Sequence, residues 1–348
     1  CILNLCDVSN IWHVPLVMQE QGGHLAIMRQ LRLDFRKLEL DSWAHRANKW
    51  DTVTMPVKIA IVGKYTGLGD SYLSVTKALM HSAISADRKL NIVWVEAGML
   101  EGATLAEDPT AHAEAWENVH SADGILVPGG FGERGTEGKI LAAKYARENQ
   151  VPFLGICLGM QAAVIEYARN VLGMKNAHST EMVPDCADPA VIFMPEGSTT
   201  HMGGTMRLGS RRTIFQTQDC KAAKLYNSMP FVDERHRHRY EVNPDIVDRL
   251  EKAGCVFVGK DETNRRMEIL ELSGHPFFLA TQYHPEYKSR PGRPSPPFMG
   301  LVLAASGQLD QYLTSEAIGM RVNAPGGFLQ SPLKALKGLA KEDEPDSP

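Results

Sequence analysis

The sequence predicts an α/β fold: an open, mostly parallel sheet flanked by helices, with an antiparallel extension in its second half. Between residues 57 and 173, strand-like and helix-like runs alternate four times. The strand-like runs are apolar throughout, the pattern of parallel strands buried on both faces. After residue 180 the pieces are mostly strand-like and few helices separate them.

The elements follow in order. "VKIAIVGKY" (57–65) is an apolar, β-branched run that ends near glycine, a buried strand. "DSYLSVTKALMHSAISA" (70–86) has helical periodicity, with Asp70 or Ser71 as the expected N-cap. "NIVWVEA" (91–97) is a strand, "TAHAEAWENVHSA" (110–122) a helix and "DGILVPGG" (123–130) a strand ending in glycines. "EGKILAAKYARENQ" (137–150) is a helix, "VPFLGI" (151–156) a strand, and "LGMQAAVIEYARNVLG" (158–173) a helix that ends at Gly173. Beyond it, "VIFMP", "GTMRLGS", "RRTIFQT", "CVFVGK", "RRMEILEL" and "FFLATQYH" are strand-like, interrupted by a helix at 244–253. "YKSRPGRPSPP" is a proline-rich turn region, and 298–313 reads as a final helix. Upstream, "VSNIWHVPLVMQEQGG" reads as a strand or loop edge, followed by two short helices within 23–56. That is too little apolar material for an independent core. The charged, proline-containing end, from 314 to 348, reads as a disordered tail.

Composition narrows the class of protein. Hydrophobic residues make up 43% and charged residues 22% of the 348, as in a soluble globular protein. A net charge of -4 argues against a surface built for nucleic acid or anionic membrane. No apolar run reaches the roughly 18 residues of a transmembrane helix. The start has no basic segment followed by an apolar one, so it is no secretory signal, and Cys1 in place of methionine leads us to expect a piece of a longer chain. Six cysteines are scattered without a C-x-x-C pair, which fits a reducing, cytoplasmic setting.

The chemistry-bearing stretch is "PFLGICLGMQ" (152–161), where a cysteine stands between Gly155 and Gly159 as strand gives way to helix. In open parallel sheets functional groups collect at the carboxyl ends of strands. G-x-C-x-G has the logic of the nucleophile elbow, with Cys157 in the place of serine and a helix N-terminus beneath it. On its own, a small core cysteine at a strand end fits the same residues. "YHPEY" (283–287) supplies a partner. In extended backbone residues two apart share a face, so His284 and Glu286 point the same way, a base oriented by a carboxylate. Alone, that stretch fits an exposed turn better. "LVPGGFGERG" (126–135) ends a neighbouring strand with bare backbone. Gly129 and Gly130 there, with the Leu158 amide, are candidate oxyanion donors. His236 and His238 have the spacing of a metal pair but no apparent third ligand.

Together these pieces resemble the triad-type class I glutamine amidotransferases, which implies a flavodoxin-like sheet. "VKIAIVGKYTGLGDSYLSVTKAL", "DGILVPGGFGERGTEGK", "PFLGICLGMQ", "GGTMRLG", "ERHRHRYEVN", "QYHPEYKSRPGRPSPPF" and "SNIWHVPLVMQEQG" further resemble the CTP synthase family, from about residue 1 to 313. The resemblance implies Cys157 as nucleophile, His284 as base and Glu286 as its orienting carboxylate, with Gly129 and Leu158 forming the oxyanion hole. It places the amino-acid head of L-glutamine at Gly130, Leu158, Gln161, Glu181 and Arg239. An α-ammonium matches Glu181, and an α-carboxylate matches Arg239.

The resemblance also implies domains. Residues 1–22 correspond to the end of an amidoligase domain, 23–56 to a linker, 57–313 to the glutaminase domain and 314–348 to a tail outside the resemblance. In the family the amidoligase domain uses ATP and Mg to activate UTP for amination to CTP, GTP is an allosteric activator, and homotetramers and filaments form. No G-x-x-x-x-G-K-[ST] phosphate loop occurs in this sequence, so no cofactor is expected on this part of the chain. GTP is associated with the lid stretch at 194–209, where Glu196 departs from the basic residue of bacterial members. Two other readings stay open: a γ-glutamyl thiol hydrolase on the same fold, and a non-catalytic regulatory or filament-assembly module.

Overall fold

A computed structural model describes residues 2–67, 69–194, 206–314 and 316–319. The lid stretch lies for the most part, and the tail almost wholly, outside these residues. The strands are β1 (Pro56–Gly63), β2 (Lys89–Glu96), β3 (Gly124–Val127), β4 (Phe153–Ile156), β5 (Ala177–Ser179), β6 (Asp188–Phe193), β7 (Arg207–Phe215), β8 (Phe231–His238), β9 (Tyr240–Val242), β10 (Cys255–Asp261), β11 (Met267–Leu272) and β12 (Phe278–Thr281). Nine form one sheet in the order β2-β1-β3-β4-β12-β11-β10-β7-β8, and β5-β6-β9 form a second. From β2 to β12 every pairing in the large sheet is parallel. From β12 to β8 every pairing is antiparallel. The expected parallel sheet with an antiparallel extension is therefore one continuous sheet.

Alternate residues of β1 explain its apolar run. Ala60 and Val62 belong to the core on one face, with helices Pro109–His120, Thr136–Glu148 and Leu158–Asn170. Val57, Ile59 and Ile61 belong to the core on the other, with helices Leu73–Ser85 and Pro296–Ala305. A strand covered on both sides has no polar face to show.

Several expectations need correction. Residues 11–20 are helical rather than a strand or loop edge: a short 3-10 turn at Ile11–His13 leads into a helix at Val14–Glu20. Asn10 caps the turn by accepting from Trp12 N, and Pro15 near the helix start suits its fixed φ. The helices at Gly23–Gln30 and Asp41–Thr52 are those expected. Trp12 stacks on Trp50 and packs with Ala47 against Ile84, so this segment leans on the Leu73–Ser85 helix. That helix begins after a 3-10 turn at Gly69–Tyr72, and neither Asp70 nor Ser71 caps it. The expected helix at 158–173 stops at Asn170, and Gly173, at φ 71°, serves the turn beyond. Arg207–Phe215, divided between two of the pieces read separately, is the single strand β7. The expected helix at 298–313 is broken into Pro296–Ala305 and Leu309–Tyr312 by Gly307 at φ 70°.

Candidate active site

β3, β4 and β12 are adjacent and parallel, so the chain leaves all three at the same edge of the sheet. The chain leaving β3 becomes Pro128–Gly130, that leaving β4 becomes Cys157, and that leaving β12 becomes Gln282–His284. This is why segments up to 155 residues apart in sequence meet (129 to 284).

Cys157 sits at φ 53° and ψ -104°, a positive φ that a non-glycine residue rarely adopts. Its N–H donates to Thr281 O at 2.7 Å, which ties the bend to β12. The flanking glycines are packing requirements. A Cβ on Gly159 would stand 2.1 Å from Val127 O, and one on Gly155 would stand 2.8 Å from the Gly159 carbonyl. Only bare backbone lets the Leu158–Asn170 helix start this close to β3 and β4. The thiol is buried, 3.8 Å from Arg237 O, and Gln282 Nε2 donates toward Sγ at 3.7 Å.

His284 is held by its N–H donating to Arg235 O on β8 (2.8 Å). Its Nδ1 is 2.8 Å from Glu286 Oε1. The pair meets as expected, but by a different route: Pro285–Lys288 is a 3-10 turn, so the two side chains are not on one face of an extended strand. Burial opposes charging of the imidazole, yet the charge of Cys157, its hydrogen bond and the Glu286 carboxylate outweigh it and push His284 up to about 11. A Cβ on Gly129 would fall 2.8 Å from His284 Cε1 and 3.4 Å from Cys157 Cβ. Gly129 thus lies against both groups. Among the described residues, no acceptor takes the amide hydrogens of Gly129, Gly130 or Leu158.

A cavity of about 230 Å³ opens beside the thiol, lined by Gly130, Phe131, Cys157, Gln161, Glu181, His238, Arg239 and Tyr240. Every residue expected at the head of an amino-acid substrate lines it except Leu158, whose amide begins the helix under Cys157. Gln161 Nε2 donates to Tyr240 O (3.0 Å) and Gln282 Oε1 (3.3 Å), which leaves its Oε1 as the atom able to accept from a ligand. Glu181 Oε1 accepts from Gly132 N at 3.0 Å. Arg239 Nε is buried and meets no acceptor among the described residues, as suits a guanidinium awaiting a carboxylate.

Sequence reasoning missed Tyr240, Phe131 and Gln282. Gln282 stands two residues before His284 in a stretch already singled out, so its position was the available signal. His236 and His238 hydrogen-bond to each other (3.1 Å), and His238 Nδ1 is 3.1 Å from Tyr240 O. Burial pushes both well down, so they are neutral partners, His238 at the cavity wall and His236 fully buried behind it. No group of three His, Cys, Asp or Glu side chains suited to a metal occurs among the described residues. No described helix is long and apolar enough to cross a membrane.

A cysteine at a strained strand-to-helix bend, a histidine–carboxylate pair beside it and a cavity lined by one carboxylate and one guanidinium are the arrangement expected of a thiol-dependent amidotransferase. The chain belongs to the class-I glutamine amidotransferase family, whose model matches residues 68–304. Within that family its relatives are CTP synthases. It is 51% identical over 310 residues to CTP synthase 2 of Xenopus laevis, which covers 88% of this chain and 54% of that protein. It is 52% identical over 316 residues to CTP synthase of Drosophila melanogaster, covering 90% of this chain and 50% of that protein. The chain thus spans about half the length of the curated relatives it matches. The glutaminase domain of Trypanosoma brucei CTPS, solved with bound acivicin, is 39% identical and superposes with a TM-score of 0.67, covering 72% of this chain and 94% of that one.

Proposed function

We propose that this chain hydrolyses L-glutamine through a thioester on Cys157 and that the ammonia serves amination of UTP to CTP. The observation that carries the first part is Cys157 beside the His284–Glu286 pair, at a cavity lined by Glu181 and Arg239. Glu181 takes the α-ammonium and Arg239 the α-carboxylate, which points the side-chain amide at Sγ. Sγ attacks the amide carbon, and the carbonyl electron pair moves onto oxygen, held by the Gly129 and Leu158 amides. His284 gives its proton to the nitrogen as the C–N bond breaks. Ammonia leaves and a γ-glutamyl thioester remains. Neutral His284 then takes a proton from water while the water oxygen attacks the thioester, the C–S bond breaks, and glutamate departs.

The second part rests on the CTP synthase relatives. On that reading residues 1–22 and 23–56 are the end of an amidoligase domain and a linker, and 57–313 are the glutaminase domain. ATP and Mg act in the amidoligase domain, GTP activates, and the partners are that domain and further copies in a homotetramer or filament. The unpaired cysteines among the described residues support a cytoplasmic setting.

The test is glutamine turnover. Cys157→Ala is expected to abolish it with the fold intact by circular dichroism, and full retained activity would sink the assignment. A γ-glutamyl peptide offered beside glutamine separates this reading from a γ-glutamyl hydrolase: the peptide carries its chain on the γ-amide nitrogen, and turnover of the peptide in preference to glutamine would favour the hydrolase.

A further inference from the structure

Beneath the Pro128–Gly132 loop lie two buried lysines that the mechanism does not use. Lys139, from the Thr136–Glu148 helix, is fully buried, and its Nζ donates to Pro128 O at 3.4 Å. The same Nζ lies 3.4 Å from where a Cβ on Gly130 would stand. Lys64, at the end of β1, is 4% exposed and donates from Nζ to Phe131 O (2.6 Å) and to Gly132 O.

In a trans peptide the C=O and the following N–H point in opposite directions, and among the described residues no peptide bond is cis. A lysine that holds a carbonyl from below therefore aims the next amide upward. Lys64 shows this directly: it holds Phe131 O, and the amide of the same peptide, Gly132 N, donates to Glu181 Oε1 at 3.0 Å. Lys139 holds Pro128 O, and the amide of that peptide is Gly129 N, which meets no acceptor among the described residues and lies against Cys157 and His284.

We propose that Lys139 is the positioning residue of the oxyanion hole, fixing the Pro128–Gly129 peptide so that the Gly129 amide faces the carbon attacked by Cys157. This rests on the glutamine-hydrolysis reading above. The ammonium also polarises the peptide it holds, which strengthens the opposite N–H as a donor. Burial draws Lys139 down to about 7, helped by Lys64 and opposed by the charges of Cys157 and Glu96. Negative charge developing at the hole tightens its hold on the proton, so brace and charge act together.

The test is Lys139→Met, which keeps the length of the side chain and removes the ammonium. Glutamine turnover is expected to fall about tenfold or more in kcat, with KM within about threefold of the parent value. Alkylation of Cys157 by iodoacetamide, a displacement at carbon that forms no oxyanion, is expected to stay within about twofold. A kcat within about twofold of the parent overturns the proposal, as does a parallel fall of turnover and alkylation, the mark of a merely structural role. If the Met variant does not fold, Lys139→Gln takes its place, and failure of both to fold overturns the proposal. A parent protein that does not turn over glutamine refutes the function proposed above instead. Lys139 is then judged on protection of Cys157 from alkylation by glutamate γ-semialdehyde, whose hemithioacetal oxygen needs the same amides. Protection at equal concentrations in parent and variant overturns the proposal; a requirement for about tenfold more aldehyde in the variant supports it.

Discussion

His284 Nδ1 lies 2.8 Å from Glu286 Oε1, and the two residues flank Pro285 at the start of one 3-10 turn. The proline stiffens the turn, and the hydrogen bond of His284 N to Arg235 O anchors it to β8. The carboxylate therefore sets the ring's orientation and tautomer. Glu286→Gln keeps the shape and loses that control. Glutamine turnover is expected to fall about 10²- to 10⁴-fold, with thermal unfolding little changed. Steady-state glutaminase kinetics beside a melting curve check both.

Gly129 has an ordinary backbone conformation, so Gly129→Ala meets no torsional obstacle. Its obstacle is His284 Cε1, which would lie 2.8 Å from the new methyl. The ring must move away from Cys157. A kcat loss of about 10²-fold is expected, since displacement by roughly an ångström costs that much in a positioned site. The loop lies outside the sheet, so the melting temperature is expected to stay near that of the parent.

The protonation of His284 depends on Cys157. Burial alone would hold the imidazole below its ordinary value of 6.5, and the charge of Cys157 is the largest influence raising it to about 11. A histidine raised on folding stabilises the protein fully below pH 6.5, and that contribution is lost as pH climbs toward about 11. In Cys157→Ala the His284 resonance, followed by NMR of Cε1-labelled histidine, is expected to titrate well below its position in the parent. An unchanged titration would show that Glu286 alone holds the charge.

Glu234 shifts in the same direction for a different reason, burial of the carboxyl. It is 3% exposed, its Oε1 accepts from Tyr226 Oη at 3.0 Å, and its Oε2 is buried with no partner among the described residues. Burial pushes it from 4.5 up to about 8. A carboxyl raised on folding favours the native state below pH 4.5 and loses that contribution as pH rises through about 8. Glu234→Gln removes the loss. Melting curves of parent and variant are expected to agree in acid and to separate by several degrees near about pH 9, with the variant the more stable.

Sequence alone reveals most of what is local here. The alternation of apolar strand and amphipathic helix through residue 173, the elbow around Cys157 and the His284–Glu286 turn all lie within short windows. β8 ends within the stretch 235–239, which reads as a solvated basic strand edge, for a physical reason. Its buried face is Glu234, His236 and His238, and its exposed face is Arg235 and Arg237, so both faces are polar and no hydrophobic alternation exists to be read. Glu181 and Arg239 came only from family resemblance, because their meeting depends on how the small sheet β5-β6-β9 packs near Cys157. Lys139 sits in an ordinary helical run, and nothing in that run shows which carbonyl its ammonium will reach.

The positive φ of Cys157 restricts what chemistry this strand end can host. At φ 53° a side chain branched at Cβ crowds its own backbone. Threonine is thereby excluded as a replacement nucleophile, while serine, carrying its reactive atom on a single unbranched methylene, fits the same bend. Any redesign of the site for another acyl transfer can choose between cysteine and serine, and the backbone has already discarded threonine.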